Sequence, residues 1–225
     1  MFQILRRIFS KNLVEVGENN IVNNTDFPKC MFEIFGDNNR IDISSDTKMT
    51  GKIRIFGDDN FIKIGSKCYI KGEIEFGYED FAFNCPARRC SLQIGDRVYL
   101  AKRVRVSLAE EKTKVSIGDD CAFANGTKVL ASDMLSYFDE KEDGDSSFIR
   151  IGKHVWFCTD TTILKNSVVN DDSIVAAGTI VNKQFWETHV TLGKHPVQII
   201  RRGVTWSKLS PGLYLKKQQE QKQKE

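Results

Sequence analysis

Ile151-Gly152-Lys153-His154-Val155-Trp156 opens the run that decides the fold, because the chain then repeats in six-residue steps: Phe157 to Thr162, Ile163 to Val168, Val169 to Ile174, Val175 to Ile180 and Val181 onward. The first residues of these steps are Ile151, Phe157, Ile163, Val169, Val175 and Val181. The fifth residues are small or β-branched: Val155, Thr161, Ser167, Ser173 and Thr179. Positions one and five share a parity, and residues of one parity in an extended chain face one side. A short strand and turn with one large apolar and one small residue inward winds a chain about its own core. Such a fixed period decides architecture ahead of local propensity.

The same phase returns upstream at Ile64-Gly65-Ser66-Lys67-Cys68, at Ile94-Gly95-Asp96-Arg97-Val98 and at Ile117-Gly118-Asp119-Asp120-Cys121. Glycine or another turn-tolerant residue follows the inward aliphatic, and Asp or Asn comes next, as corners with positive φ or side-chain-capped turns require. Ile34-Phe35-Gly36-Asp37-Asn38-Asn39-Arg40-Ile41 and Ile55-Phe56-Gly57-Asp58-Asp59-Asn60-Phe61-Ile62 read as one coil edge written twice. The repeat predicts an all-β parallel solenoid over residues 31–205. Residues 1–30 read as a cap segment, 137–150 as a loop leaving the coil, and 206–225 as a tail. A solenoid buries its core by stacking neighbouring repeats, and this one has enough of them to be stable.

Composition agrees with a soluble domain. The chain has 225 residues, 40% of them hydrophobic, enough to bury a sizeable core, and no apolar run reaches transmembrane length. The formal net charge of +3 is small and its basic residues form no stripe in the sequence, which speaks against nucleic acid. Six cysteines fit neither a disulfide framework nor a zinc pattern. Cys68 and Cys121 fall at the inward fifth position, where a thiol packs as a small apolar group. Cys85 and Cys90 bracket Pro86-Ala87-Arg88-Arg89 without a nearby His or second Cys pair. No metal is expected, and a reducing, cytoplasmic compartment is.

The ends read differently. Met1 to Ser10 places Phe2, Leu5 and Phe9 near one face of a helix, with Arg6 and Arg7 opposite. Such a helix caps the open first coil so that its apolar rungs are covered; the alternative is contact with a membrane surface or a partner. Lys216 to Glu225 holds only Lys, Gln and Glu, a solvated helix or disorder.

The segment from Asp133 to Trp206 resembles the hexapeptide-repeat sugar O-acetyltransferases of bacterial capsules and lipopolysaccharides, closest to those acting on sialic acid. In that family an Asp-Met-His core precedes a loop, and the chain returns at an Ile-Gly-x-His-Val-Trp hexad. Here the core reads Ser132-Asp133-Met134-Leu135-Ser136, the acidic loop follows, and the return is Ile151 to Trp156. Val175-Ala176-Ala177-Gly178-Thr179-Ile180-Val181-Asn182-Lys183 is similar to the coenzyme-A-facing coils, and Leu192 to Ile200 to the closing segment. The resemblance implies a left-handed β-helix, a homotrimer, and acetyl-CoA lying between neighbouring solenoids. It implies cofactor contacts from Trp156, Cys158, Ala176, Ala177 and Gly178, with Lys183 on a phosphate, and a sugar or polysaccharide acceptor.

The implied reaction is direct acyl transfer, in which a base takes the proton of the attacking sugar hydroxyl and donors stabilise the oxyanion. Leu135 stands where the family carries that base, and losing a positioned base costs about 10²–10⁴ in rate. Asp133 and His154 are the candidate substitutes. Asp133 reads better as fixing the loop, and His154 as structural, since relatives carry it beside their catalytic histidine. His189 and His195 are expected to reach a groove only from another subunit. Trp156 is expected outward, lining that groove, and Cys158 outward beside it, as a narrower of the channel or a covalent nucleophile. Two classes of function follow: an acetyl-CoA-dependent O-acetyltransferase, or a non-catalytic relative keeping the solenoid as a binding or assembly module.

Overall fold

The computed structural model describes residues 7–10, 12–24, 26–27, 29–79, 84–133 and 147–222. Short strands stack into three long sheets whose neighbours are parallel almost throughout, the sides of a triangular prism. The first sheet runs from Leu13–Val16 through Lys52–Asp58 and Lys128–Leu130 to Ile180–Val181. The second runs from Ile21–Val22 through Phe148–Ile151 to Gln184–Phe185. The third runs from Lys48–Met49 through Trp156–Phe157 to Gln198–Arg202, whose pairing with Val190–Gly193 is antiparallel. Each turn of the chain visits the sheets in that order. The fold is a left-handed parallel β-helix.

The hexad phase holds through the core. Ile151, Phe157, Ile163, Val169, Val175 and Val181 are all buried, and so are Val155, Thr161, Ser167, Ser173 and Thr179. In the third sheet the inward column is Met49, Ile70, Leu100, Phe123, Phe157, Val175 and Leu192, with Phe123 and Phe157 stacked at 4.7 Å.

Inward polar residues stay satisfied by bonding along the axis. At the vertex joining first to second sheet, Asn60 takes the backbone N–H of Cys90 on its Oδ1 and gives its amide to the Ala87 carbonyl, while Asn39 does the same one coil earlier for Asn60 and Gly57. At the next vertex, Cys68 and Cys121 donate to the carbonyls of Gly95 and Gly152. All six cysteines are free, and burial pushes the Cys121 thiol up to about 12, that of an inert packing group.

Three boundaries differ from expectation. The parallel ladder begins at Leu13–Val16, paired in register with Phe32–Phe35, not near residue 31. Arg7–Ser10 is a strand antiparallel to Leu13–Val16, so the helix expected over Met1–Ser10 is corrected for its described part; a strand closes the first coil by continuing the sheet, which a helix cannot do. The chain returns to the coil at Phe148, since Phe148–Ile151 pairs with Lys114–Ile117, so loop 137–150 ends earlier than the hexad suggested. Residues 134–146, with Leu135 among them, lie outside the described residues. Pro211–Lys222 forms a helix, and no helix among the described residues is long and apolar enough to cross a membrane.

Candidate active site

Trp156 begins a third-sheet strand and points outward, 37% exposed, because its parity is opposite to that of Val155 and Phe157. Its register neighbours on the outer face are Tyr99 and Ala122 on one side and Ile174 and Thr191 on the other. The next outward column is a run of small residues, Ala101, Ala124, Cys158 and Ala176, whose N–H groups bond to the adjacent coil. Trp156 thus stands beside a shallow floor that admits a slender ligand close to the backbone.

The C-terminal segment walls this floor, a contact that sequence reading missed by treating 206–225 as a tail. Trp206 donates its indole N–H to the His154 carbonyl at 2.7 Å, stacks flat on the His154 ring at 4.4 Å, and sits 5.9 Å from Trp156. Lys208 reaches the Arg97 carbonyl at 2.8 Å. The strap leaves two clefts flanking Trp156. One, of about 410 Å³, is lined by Tyr99, Ala122, Ala124 and Lys208. The other, of about 460 Å³, is lined by Ile174, Thr205, Leu209 and Tyr214.

His154 occupies a left-handed turn, φ 54°, at the vertex between second and third sheets. Arg97, Asp120, Asp172 and His189 hold the same turn position on neighbouring coils, all with positive φ. Their side chains alternate along the axis between basic and acidic residue types. Arg97 grips Asp120 with two bonds of 2.9 and 2.8 Å, which hold that carboxyl below its ordinary range. His154 Nδ1 lies 2.8 Å from Asp172 Oδ1, and His189 Nε2 lies 3.6 Å from Asp172 Oδ2. His189 therefore meets the His154 cluster within its own chain, contrary to expectation. An imidazole so placed is oriented through Nδ1 by a carboxylate and has Nε2 left for proton transfer.

The remaining candidates do not converge. Asp133 is exposed and pairs with Lys165 at 2.6 Å, an arrangement that pins the chain where the loop departs. Lys183 lies one coil beyond Lys165 at the same vertex, its ammonium 5.5 Å over the Phe185 ring. Ala177 and Gly178 turn the third sheet into the first, exposed, with open space beside Gly178. Cys158 lies near them, and burial raises its thiol pKa, which disfavours the thiolate that covalent catalysis needs. In a triangular coil the vertex carrying Asp133 and Lys183 lies opposite the side carrying Trp156. One chain therefore cannot bring these residues together, and a groove using both must be built from two copies. His195 is exposed beyond this cluster. No group of His, Cys, Asp or Glu among the described residues is arranged to hold a metal.

The fold, with its outward tryptophan face, is that of a hexapeptide-repeat left-handed β-helix. Solved structures place the likeness: the polysialic-acid-specific acetyltransferase NeuO, 24% identical with a TM-score of 0.72 over 89% of this chain and 87% of that one, and the polysialic acid O-acetyltransferase OatWY, 24% identical with a TM-score of 0.59 over 80% and 92%. In sequence the chain is similar to a polysialic acid O-acetyltransferase of Neisseria meningitidis, 29% identical over 123 residues, 53% of this chain. The match spans 56% of that curated relative's length. No protein-family model matches the chain.

Proposed function

We propose that the protein is an acetyl-CoA-dependent O-acetyltransferase acting as a homotrimer on a hydroxyl of a bacterial surface glycan or its precursor. The observation that carries this is Trp156, outward on a floor of small residues and walled by Trp206, in a chain related to an enzyme of that chemistry. Ala124, Cys158 and Ala176 fit an extended thioester arm, because nothing larger than a thiol stands between it and the coil. Gly178 would border that floor just beyond Ala176, and Lys183 would meet the arm from the other wall, supplied by a neighbouring copy.

His154, aligned by Asp172, is the best arranged base among the described residues. It would take the hydroxyl proton as the sugar oxygen bonds to the acetyl carbon, and return it to the thiol as the carbon–sulfur bond breaks. The Trp156 indole would pack against the acetyl group. One observation favours a second reading: Leu135 replaces the resembling family's histidine, as a non-catalytic binding or assembly module would tolerate.

Thiol release from acetyl-CoA with polysialic acid as acceptor separates the two. Under the first reading the native chain turns over and His154→Asn, which still suits the left-handed turn, loses about 10²-fold or more. Under the second the native chain is silent and only Leu135→His turns over. Absence of acetyl-CoA binding by calorimetry in both proteins removes the coenzyme assignment.

A further inference from the structure

We infer that the outer face of the third sheet, on the N-terminal side of Trp156, is a track for an anionic polysaccharide. The acidic polymer lies along the solenoid axis and feeds its hydroxyls toward the Trp156 clefts. This rests on the transferase reading above and names the acceptor's class and where it is held. Tyr69, Tyr99, Ala122 and Trp156 are consecutive register partners on that face. At about 4.8 Å per coil, Tyr99 stands about 10 Å and Tyr69 about 14 Å from Trp156, two and three rungs away, spacings that successive sugar rings can match.

The two tyrosine rings lie 5.8 Å apart, tilted by 33°, and together offer a continuous aromatic surface. Lys71 crosses it, its ammonium 4.6 Å from the centre of Tyr69 and 6.0 Å from that of Tyr99. Lys48 is the next register partner beyond Tyr69. Neither lysine has a carboxylate partner among the described residues. No outward position of the strands from Lys48–Met49 to Trp156–Phe157 carries an acid.

The carboxylates of the adjoining vertex are already committed. Asp96 and Asp119 cap backbone N–H groups, Asp120 holds Arg97, and Asp46 binds Ser44 and the Lys67 N–H. The face therefore presents aromatic planes and unneutralised ammonium groups together. A pyranose offers an apolar C–H face to such a ring, and an acidic sugar adds the carboxylate that Lys71 and Lys48 lack.

The test is retardation of the full chain by polysialic acid, with neutral dextran as control, for the native protein and for Tyr69→Ala, Tyr69→Phe and Lys71→Gln. The native chain should be retarded by polysialic acid alone. Tyr69→Phe should match it, Tyr69→Ala should bind about three- to tenfold more weakly, and Lys71→Gln should weaken binding and flatten its dependence on salt. Unchanged acetyl-CoA affinity in all three shows that the variants are folded.

Equal retardation of Tyr69→Ala and Lys71→Gln with the native chain overturns the track, as does equal retention by dextran. A fall in oligomer mass for Tyr69→Ala also overturns it, marking the face as a contact between copies. Tyr69-dependent retardation without acetyl-CoA binding sinks the transferase reading and leaves the track standing. Transfer to polysialic acid with an unchanged KM in Tyr69→Ala does the reverse.

Discussion

Gly57 and Gly178 show how differently two glycines can matter at the vertices of one coil. Gly57 has φ 133°, and a Cβ built on it lands on the backbone of Ala87 in the coil above. Gly178 has φ 68°, and a Cβ there meets nothing within 4 Å. Gly57→Ala must therefore push two coils apart, and should cost more than about 3 kcal/mol or prevent folding. Gly178→Ala bears only the left-handed backbone penalty of about 1 kcal/mol. Urea unfolding of both variants checks this; equal losses would mean that coil spacing does not set the Gly57 requirement. His154 obeys the same turn constraint, so His154→Asn should retain stability while His154→Ala loses about 1 kcal/mol, a difference that keeps its proposed proton-transfer role separable from its place in the fold.

Within the elements, the hexad was the part of the fold legible in sequence, because one residue in six is large, inward and stacked on its equivalents above and below. Val14-Glu15-Val16-Gly17-Glu18-Asn19-Asn20 repeats the edge Glu33-Ile34-Phe35-Gly36-Asp37-Asn38-Asn39, yet escaped notice. Glu15 is the reason: it holds the inward position paired with Ile34 and breaks the apolar phase where a charge belongs to no ordinary core. The strap was illegible for another reason. Trp206 meets His154 across 52 residues and Lys208 meets Arg97 across 111, contacts that no local period encodes. The vertex ladder also carries a pH dependence. Asp119 is held low by the Asp96 N–H and by Lys153, Asp120 by Arg97. Their folded values lie below the unfolded ones, so this stabilisation is fully present above the ordinary value of 3.8 and is lost as pH falls through the lower folded values. The melting temperature should be steady down to about pH 5 and fall below about pH 4, more gently in Asp120→Asn. A melting temperature that rises on acidification would contradict the ladder's role.

Across the whole molecule, the triangular section imposes a constraint that no single side chain shows. The face with Trp156, Cys158 and Ala176 and the vertex with Asp133, Lys165 and Lys183 are opposite one another, so in the proposed trimer each copy would hold half of a groove on either flank. Closed symmetry would then turn those halves into whole sites, three equivalent grooves in all. Light scattering should give three times the 25.6 kDa chain mass. A sharper consequence concerns mixing. Trp156→Ala and Lys183→Gln should each weaken acetyl-CoA binding when every groove carries the change, Lys183→Gln by about tenfold as one lost phosphate contact. In trimers assembled from equal amounts of the two variants, about one groove in four pairs an intact tryptophan face with an intact lysine vertex. Calorimetry on the mixture should therefore recover a minority of sites with native affinity. If each chain binds its own acetyl-CoA on a single face, mixing restores nothing, and Trp156 and Lys183 belong to separate sites.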